Sequence, residues 1–171
     1  MEILLGKMRI TACSKKRVDL YKNHFSFYRK YAFVVFNTLR KPLFQRFLNW
    51  MLRRERIEEH EIKDVQIRMF PFIKENGNGL AGKCNSKGKI HLYPKGLKFF
   101  RKKMQEFGKE NVNFYIKSRA RATLIHELLH LKYVSDEEKV RELTEKYFNI
   151  FTKHQLTQNS DVHDIAKMLF K

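Results

Sequence analysis

Apolar residues recur every three to four positions over most of this chain, and every second position only in a short central stretch. Residues 15–60 read as helical with few breakers. VDLYKNHFSFYRKYAFVVFNTL carries aromatic and aliphatic residues on more than one face. Pro42 predicts the start of a second helix, PLFQRFLNWMLRRERIEEH, in which Leu43, Phe44, Phe47, Leu48, Met51 and Leu52 recur at helical spacing. Stripes of this kind are usually core, so packing is the favoured role for this stretch. The texture changes after residue 61. VQIRMFPFI, 65–73, alternates and predicts a strand. Five of the seven glycines then fall between Gly77 and Gly96. LAGKCN reads as a short strand, Ser86-Lys87-Gly88 as a turn and KIHLYP, 89–94, as the returning strand. GLKFFRKKMQEFGKE, 96–110, predicts a basic amphipathic helix, and VNFYIKSRARATLIHELLHLKY, 112–133, a long helix after an Asn-rich break. Val134-Ser135 interrupts it, and Ser135 with Glu138 forms a capping box opening the next helix. The fold class expected is α+β: a three-stranded antiparallel sheet packed on two successive helices. The chain divides into a basic helical segment (1–60), a central domain (61–155) and a C-terminal tail or helix (156–171).

At 171 residues, with 43% hydrophobic and 13% aromatic content, the chain has a folded composition. Cys13 and Cys84 are too few for a disulfide framework. No apolar run reaches the length of a signal peptide's core or a membrane span, so the expectation is a soluble cytoplasmic protein without a transmembrane segment. The net charge is +18, and residues 1–60 hold 14 Lys and Arg against 5 Asp and Glu. Such a surface attracts polyanions, whether nucleic acid, acidic protein segments or anionic lipid headgroups, although charge also serves solubility alone. The Gly-rich loop lacks the GK[ST] ending of a phosphate-binding loop. No zinc-finger or RNP signature is present, so nucleic-acid binding is expected to be non-specific.

The candidate chemistry lies in TLIHELLHLKYVSDEEKVREL, residues 123–143. His126 and His130 are four apart on a helix and can present their rings to one ion. Glu127 projects beside them. This HExxH pattern fits a catalytic zinc, one per chain, with Glu127 as general base for peptide hydrolysis. The alternative is an ordinary helix with two hydrogen-bonded histidines. A catalytic zinc needs a third protein ligand. The apolar stripe of the following helix runs Val140, Leu143, Tyr147 and Phe151. Counting back from Val140 by four reaches Asp136 and by three reaches Glu137, so both face the helix of the motif. On spacing alone Asp136 and Glu137 both remain candidates for the third ligand.

HELLHLKY followed by a short loop and an acidic helix start resembles the compact zinc peptidases of the gluzincin kind, especially the single-domain minigluzincins of archaea. Their third ligand is a glutamate on the helix after the motif, and Glu137-Glu138-Lys139-Val140 fits that setting with Val for Ala, which implies Glu137 as the third ligand with Asp136 as the alternative. GLAGKCNSKGKIHLYP is similar to the strand pair that precedes the HExxH helix of SprT-like proteases. That pattern has a histidine as third ligand, where this chain has Asp136. The resemblance covers roughly residues 65–150. It implies a protein or peptide substrate held as an added strand along KIHLYP, involving Ile90, His91, Leu92 and Tyr93. It also implies a role for Tyr133 in stabilising an oxyanion, with packing as the competing role. Cys84 or the tail residues Asp161, His163 and Asp164 are candidates for a latency ligand. Two further readings stand beside the zinc metallopeptidase. One is a nucleic-acid-binding module with a structural metal or none, which merges with the first if the chain is a SprT-like protease acting on DNA-bound proteins. The other is a membrane-surface protein held by the aromatic, basic helices of 20–54.

Overall fold

The structure, a computed structural model, describes residues 4–12 and 15–153, without the side chains of 15–17. Cys13 and the tail residues Asp161, His163 and Asp164 lie outside the described residues. The elements are β1 (Met8–Thr11), α1 (Lys15–Leu20), α2 (Phe25–Leu39), α3 (Pro42–Glu55), β2 (Asp64–Arg68), β3 (Phe72–Ile73), β4 (Gly79–Leu80), β5 (Gly82–Cys84), β6 (Lys89–Leu92), α4 (Leu97–Tyr133) and α5 (Glu137–Lys153). Short 3₁₀ turns link several of them.

The fold is α+β, but the sheet differs from the expected three antiparallel strands. Four strands lie in the order β1-β2-β6-β5. The β1/β2 and β2/β6 pairs are parallel, and only β5/β6 is antiparallel. β3 and β4 form a separate two-stranded ribbon. The expected strand 65–73 is broken around Pro71, which has no N–H to give a ladder. The chain leaves the sheet there, forms the ribbon and returns through β5. β1, ahead of the helical stretch but within the segment 1–60 assigned as helical, completes the sheet.

The register sorts the side chains. Met8 pairs with Val65, Val65 with Ile90, and Ile67 with Leu92, and these residues form a buried apolar face. Arg9, Gln66, His91 and Lys83 alternate onto the other face. Helices α2 and α4 cover the apolar face and α5 packs on α4, with Tyr28, Val35, Leu124, Leu128 and Tyr147 in one continuous core. The β5–β6 hairpin is closed by Asn85, whose Oδ1 accepts hydrogen bonds from the N–H groups of Lys87 and Lys89, both at 3.0 Å. Gly88 follows at φ +72°, and a Cβ there would meet the Glu61 carbonyl oxygen at 1.8 Å. Pro42 opens α3 at its first turn, as expected. The break in α4 falls at Gly108 (φ 79°, ψ 166°) rather than at the Asn-rich stretch. Among the described residues, no helix is long and apolar enough to cross a membrane.

Two buried polar groups lock the helices together. Arg119 of α4 donates to the Tyr93 carbonyl at 2.8 Å and the Tyr31 hydroxyl at 3.3 Å, tying α4 to the end of β6 and to α2. Glu55, at the end of α3, accepts from the Tyr133 hydroxyl at 2.7 Å, from the Tyr147 hydroxyl, and from Lys132 Nζ at 3.3 Å. Burial pushes the Glu55 carboxyl up, but these hydrogen bonds outweigh it and hold the group below its ordinary value. A depressed carboxyl stabilises the fold above its unfolded-state pKa, and that contribution is lost as the pH falls through the folded one. Replacing Glu55 by Gln is expected to cost about 1–3 kcal/mol at neutral pH. In urea melts across a pH series, the gap between wild type and Glu55→Gln should narrow as the pH falls into the acid range. A constant gap would mean that the carboxylate charge contributes nothing.

Candidate metal centre

The four-residue spacing puts His126 and His130 on one face of α4, next to α5. Their Nε2 atoms are 3.1 Å apart. Glu137, the first residue of α5, brings Oε1 to 3.4 Å from His126 Nε2 and Oε2 to 3.3 Å from His130 Nε2. All three ligand atoms lie within 4.8 Å of one another. A tetrahedral ion with bonds of roughly 2.0–2.1 Å to nitrogen and oxygen spaces its ligand atoms about 3.3 Å apart. The cluster therefore has the dimensions of a metal site.

Each ring is oriented from behind. His130 Nδ1 lies 2.9 Å from the Val134 carbonyl, which can only accept, so Nδ1 carries the proton and Nε2 offers its lone pair to the cluster. His126 Nδ1 lies 3.3 Å from Thr144 Oγ1, whose own proton goes to the Val140 carbonyl at 2.7 Å. That hydroxyl is left to accept from His126, which again turns Nε2 inward. Burial, and then the neighbouring His130, lower the His126 pKa and favour the neutral, ligating ring. Two ring lone pairs and a carboxylate thus converge, a donor set that a cation satisfies.

The turn between the helices makes this possible. Val134 ends α4 with φ 36° and ψ −84°, a conformation that β-branched residues avoid. Its carbonyl is the one that holds His130. Asp136 then caps α5, with Oδ1 accepting from the Lys139 N–H at 3.0 Å. The cap is therefore Asp136, not Ser135 as expected, and its carboxylate is engaged there while Glu137 occupies the cluster.

Glu127 is buried against the outer strand of the sheet. The Cys84 main-chain N–H hydrogen-bonds to it, and Gly82 lies so close that an added Cβ would sit 2.5 Å from Glu127 Oε1 and 2.7 Å from Thr123 Cγ2. Burial pushes the Glu127 carboxyl up to about 7, opposed by the Cys84 hydrogen bond and assisted by the Glu137 charge. A cleft of about 620 Å³ opens beside it, with Gly79–Gly82 on one wall and His126, Glu127, Glu137 and Thr144 on the other.

Other expected site residues are placed differently. Ile90 and Leu92 are buried in the core, while His91 and Tyr93 face the opposite side of the sheet. β6 is paired on both sides, by β2 and β5, so it has no free main-chain edge for a substrate strand. Among the described strands the edge beside the cleft is β5. The Tyr133 hydroxyl donates to Glu55 at 2.7 Å. Cys84 is not in the metal cluster. Its thiol contacts the Asn85 carbonyl, and burial and then the Glu127 charge raise its pKa to about 11. Sequence reasoning missed Thr144, Val134 and Gly82. Thr144 lies seven residues after Glu137, two turns along the same helical face, which was a usable signal. Nothing local marks the other two.

No protein-family model, curated protein or solved structure matches the chain.

The two acidic neighbours are expected to separate cleanly in metal content measured by elemental mass spectrometry. His126→Ala and Glu137→Ala should lose bound metal. Asp136→Ala should keep it, while losing about 0.5–2 kcal/mol of stability with the helix cap. Metal retained in Glu137→Ala and lost in Asp136→Ala would reverse the assignment.

Proposed function

We propose that the chain is a zinc metallopeptidase, with His126, His130 and Glu137 as metal ligands and Glu127 as general base. The observation that carries this reading is the convergence of two imidazoles and a carboxylate, with ligand atoms within 4.8 Å of one another, beside a buried glutamate that borders a cleft. The choice of zinc follows from the donor set, two imidazoles and one carboxylate, with a side left open by the half-exposed Glu137. Zinc bound there supplies a Lewis acid for the scissile carbonyl and lowers the pKa of water. The resemblance to the minigluzincins agrees, since their third ligand is a glutamate on the next helix.

The chain's own residues supply the rest. Glu127 takes a proton from the attacking water and delivers it to the leaving amine, so that the carboxyl cycles between its two forms. Burial favours the protonated form, and the Cys84 N–H favours the ionised one. The outer edge of β5, continuous with Gly79–Ala81, accepts an extended peptide through main-chain hydrogen bonds and lays it across the ligands. Gly82 is required for this closeness, because any side chain there displaces Glu127 or the strand.

Glu127→Gln should retain stoichiometric zinc and lose about 10²–10⁴-fold in the hydrolysis of a quenched-fluorescent peptide library. Undiminished cleavage by that variant would eliminate the mechanism. Gly82→Val should also keep zinc and lose activity, and wild-type turnover in that variant would show that Glu127 does not need its present position.

A further inference from the structure

The sheet face turned away from the helices carries a second cleft, of about 600 Å³, between the β3–β4 ribbon and strands β5 and β6. Its volume lies within the roughly 300–1,000 Å³ range of ligand sites. Its charge is one-sided. Arg68, Lys74, Lys83 and Lys89 line it, and no Asp or Glu does. Asp64, the carboxylate on this face of β2, is engaged at 2.8 Å by Arg9 and also by Gln66. Lys74, Lys83 and Lys89 are exposed, and none has a carboxylate partner among the described residues. Arg68 donates from Nη1 to Thr11 Oγ1 at 3.2 Å, while its buried Nε has no hydrogen-bond partner.

The floor is aromatic. His91 and Tyr93 project from β6, with their ring centres 6.2 Å apart and His91 Nδ1 3.3 Å from the Tyr93 hydroxyl. Phe72 of the ribbon lies 5.5 Å from Tyr93. Burial lowers the His91 pKa and the charge of Arg68 adds to it, so the ring is neutral at physiological pH. Unpaired cations around planar rings are the two components that single-stranded nucleic acid requires, the cations for phosphates and the rings for bases. A duplex hides the faces of its bases and leaves the rings unused. An acidic peptide would use the cations but not the rings.

We propose that this cleft binds single-stranded nucleic acid, with Lys74, Lys83, Lys89 and Arg68 on the phosphates and a base entering against His91 and Phe72. The site is separate from the metal cluster: β5 lies between them, and Leu80 borders both clefts. The proposal does not rest on the peptidase reading.

The test is fluorescence anisotropy of the full chain with a labelled pyrimidine DNA strand of about a dozen nucleotides, read over a salt series. The Lys74→Glu/Lys89→Glu double variant should bind the strand at least about tenfold more weakly, and its log–log salt slope should fall by about 0.7 for each lysine replaced. Lys98→Glu/Lys109→Glu makes the same charge change on α4, away from the cleft, and should leave both nearly unchanged. His91→Ala should weaken binding with the salt slope preserved, because it removes stacking and no charge. Unlabelled duplex of the same sequence, polyglutamate and anionic phosphatidylserine vesicles should compete poorly. Equal weakening in the two double variants would reduce the effect to diffuse surface charge and overturn the proposal. So would equal competition by polyglutamate or vesicles, unchanged binding in His91→Ala, or no binding of the strand.

Discussion

One face of an α-helix can present two imidazoles four residues apart, but a third ligand has to come from another element. The centre therefore depends on how α4 turns back into α5. The turn is three residues long, and each has a separate task. Val134 takes a backbone conformation unfavourable for a β-branched residue, and its carbonyl thereby reaches the back of His130. Ser135 passes the chain across. Asp136 caps the new helix, so Glu137 begins it facing the two rings. Strain of this kind persists only where the surroundings over-determine it. Here Glu55 does so, because it binds residues from both helices, Lys132 and Tyr133 before the turn and Tyr147 after it. Removing that carboxylate loosens the hairpin on both sides of the turn at once.

The sheet imposes the second constraint. β5 pairs with β6 on one side only, and its inner face lies directly on α4. Contact this close is possible only because residue 82 has no side chain. The consequence for Glu127 is electrostatic. Packed under the strand, it loses solvent and gains a single main-chain donor, and so the same contact fixes its position and raises its pKa.

Elements that carry their own pattern were readable from the sequence. The apolar repeat gave α3 its start at Pro42, and the stripe Val140, Leu143, Tyr147 and Phe151 gave α5 its buried side. The alternation in KIHLYP correctly separated Ile90 and Leu92 from His91. Pairing partners were not readable, because alternation identifies faces but not neighbours. Parallel β2/β6 contact joins residues some 25 positions apart, such as Val65 and Ile90, and β1 joins from nearer the N-terminus still. This non-local pairing moved β6 from the edge to the interior. Within the site, the histidines and Glu127 lay in one motif and were legible. Helical spacing left Asp136 and Glu137 as alternatives, and the structure brings Glu137 to the histidines while Asp136 caps α5.

The distribution of charge is a property of the fold that the composition conceals. A chain with a net charge of +18 would be expected to surround any cleft with cations. Instead the carboxylates gather at the candidate metal-site cleft, where Glu127, Glu137, Glu142 and Glu145 stand among Lys95, Arg119 and Arg141, while the cleft behind β5 has cations alone. β5 produces this separation through the two-residue period of a strand: Lys83 points to the open face, and Gly82, next to it, points to α4. A one-residue slip of β5 against β6 would exchange the two faces, bringing a lysine side chain onto Glu127 and removing it from the basic cleft. The Asn85–Gly88 turn that closes the hairpin is what prevents the slip. Gly88 holds it in place, because no residue with a side chain fits against the Glu61 carbonyl. The side chains presented to both clefts therefore depend on a turn that lies outside the candidate metal site.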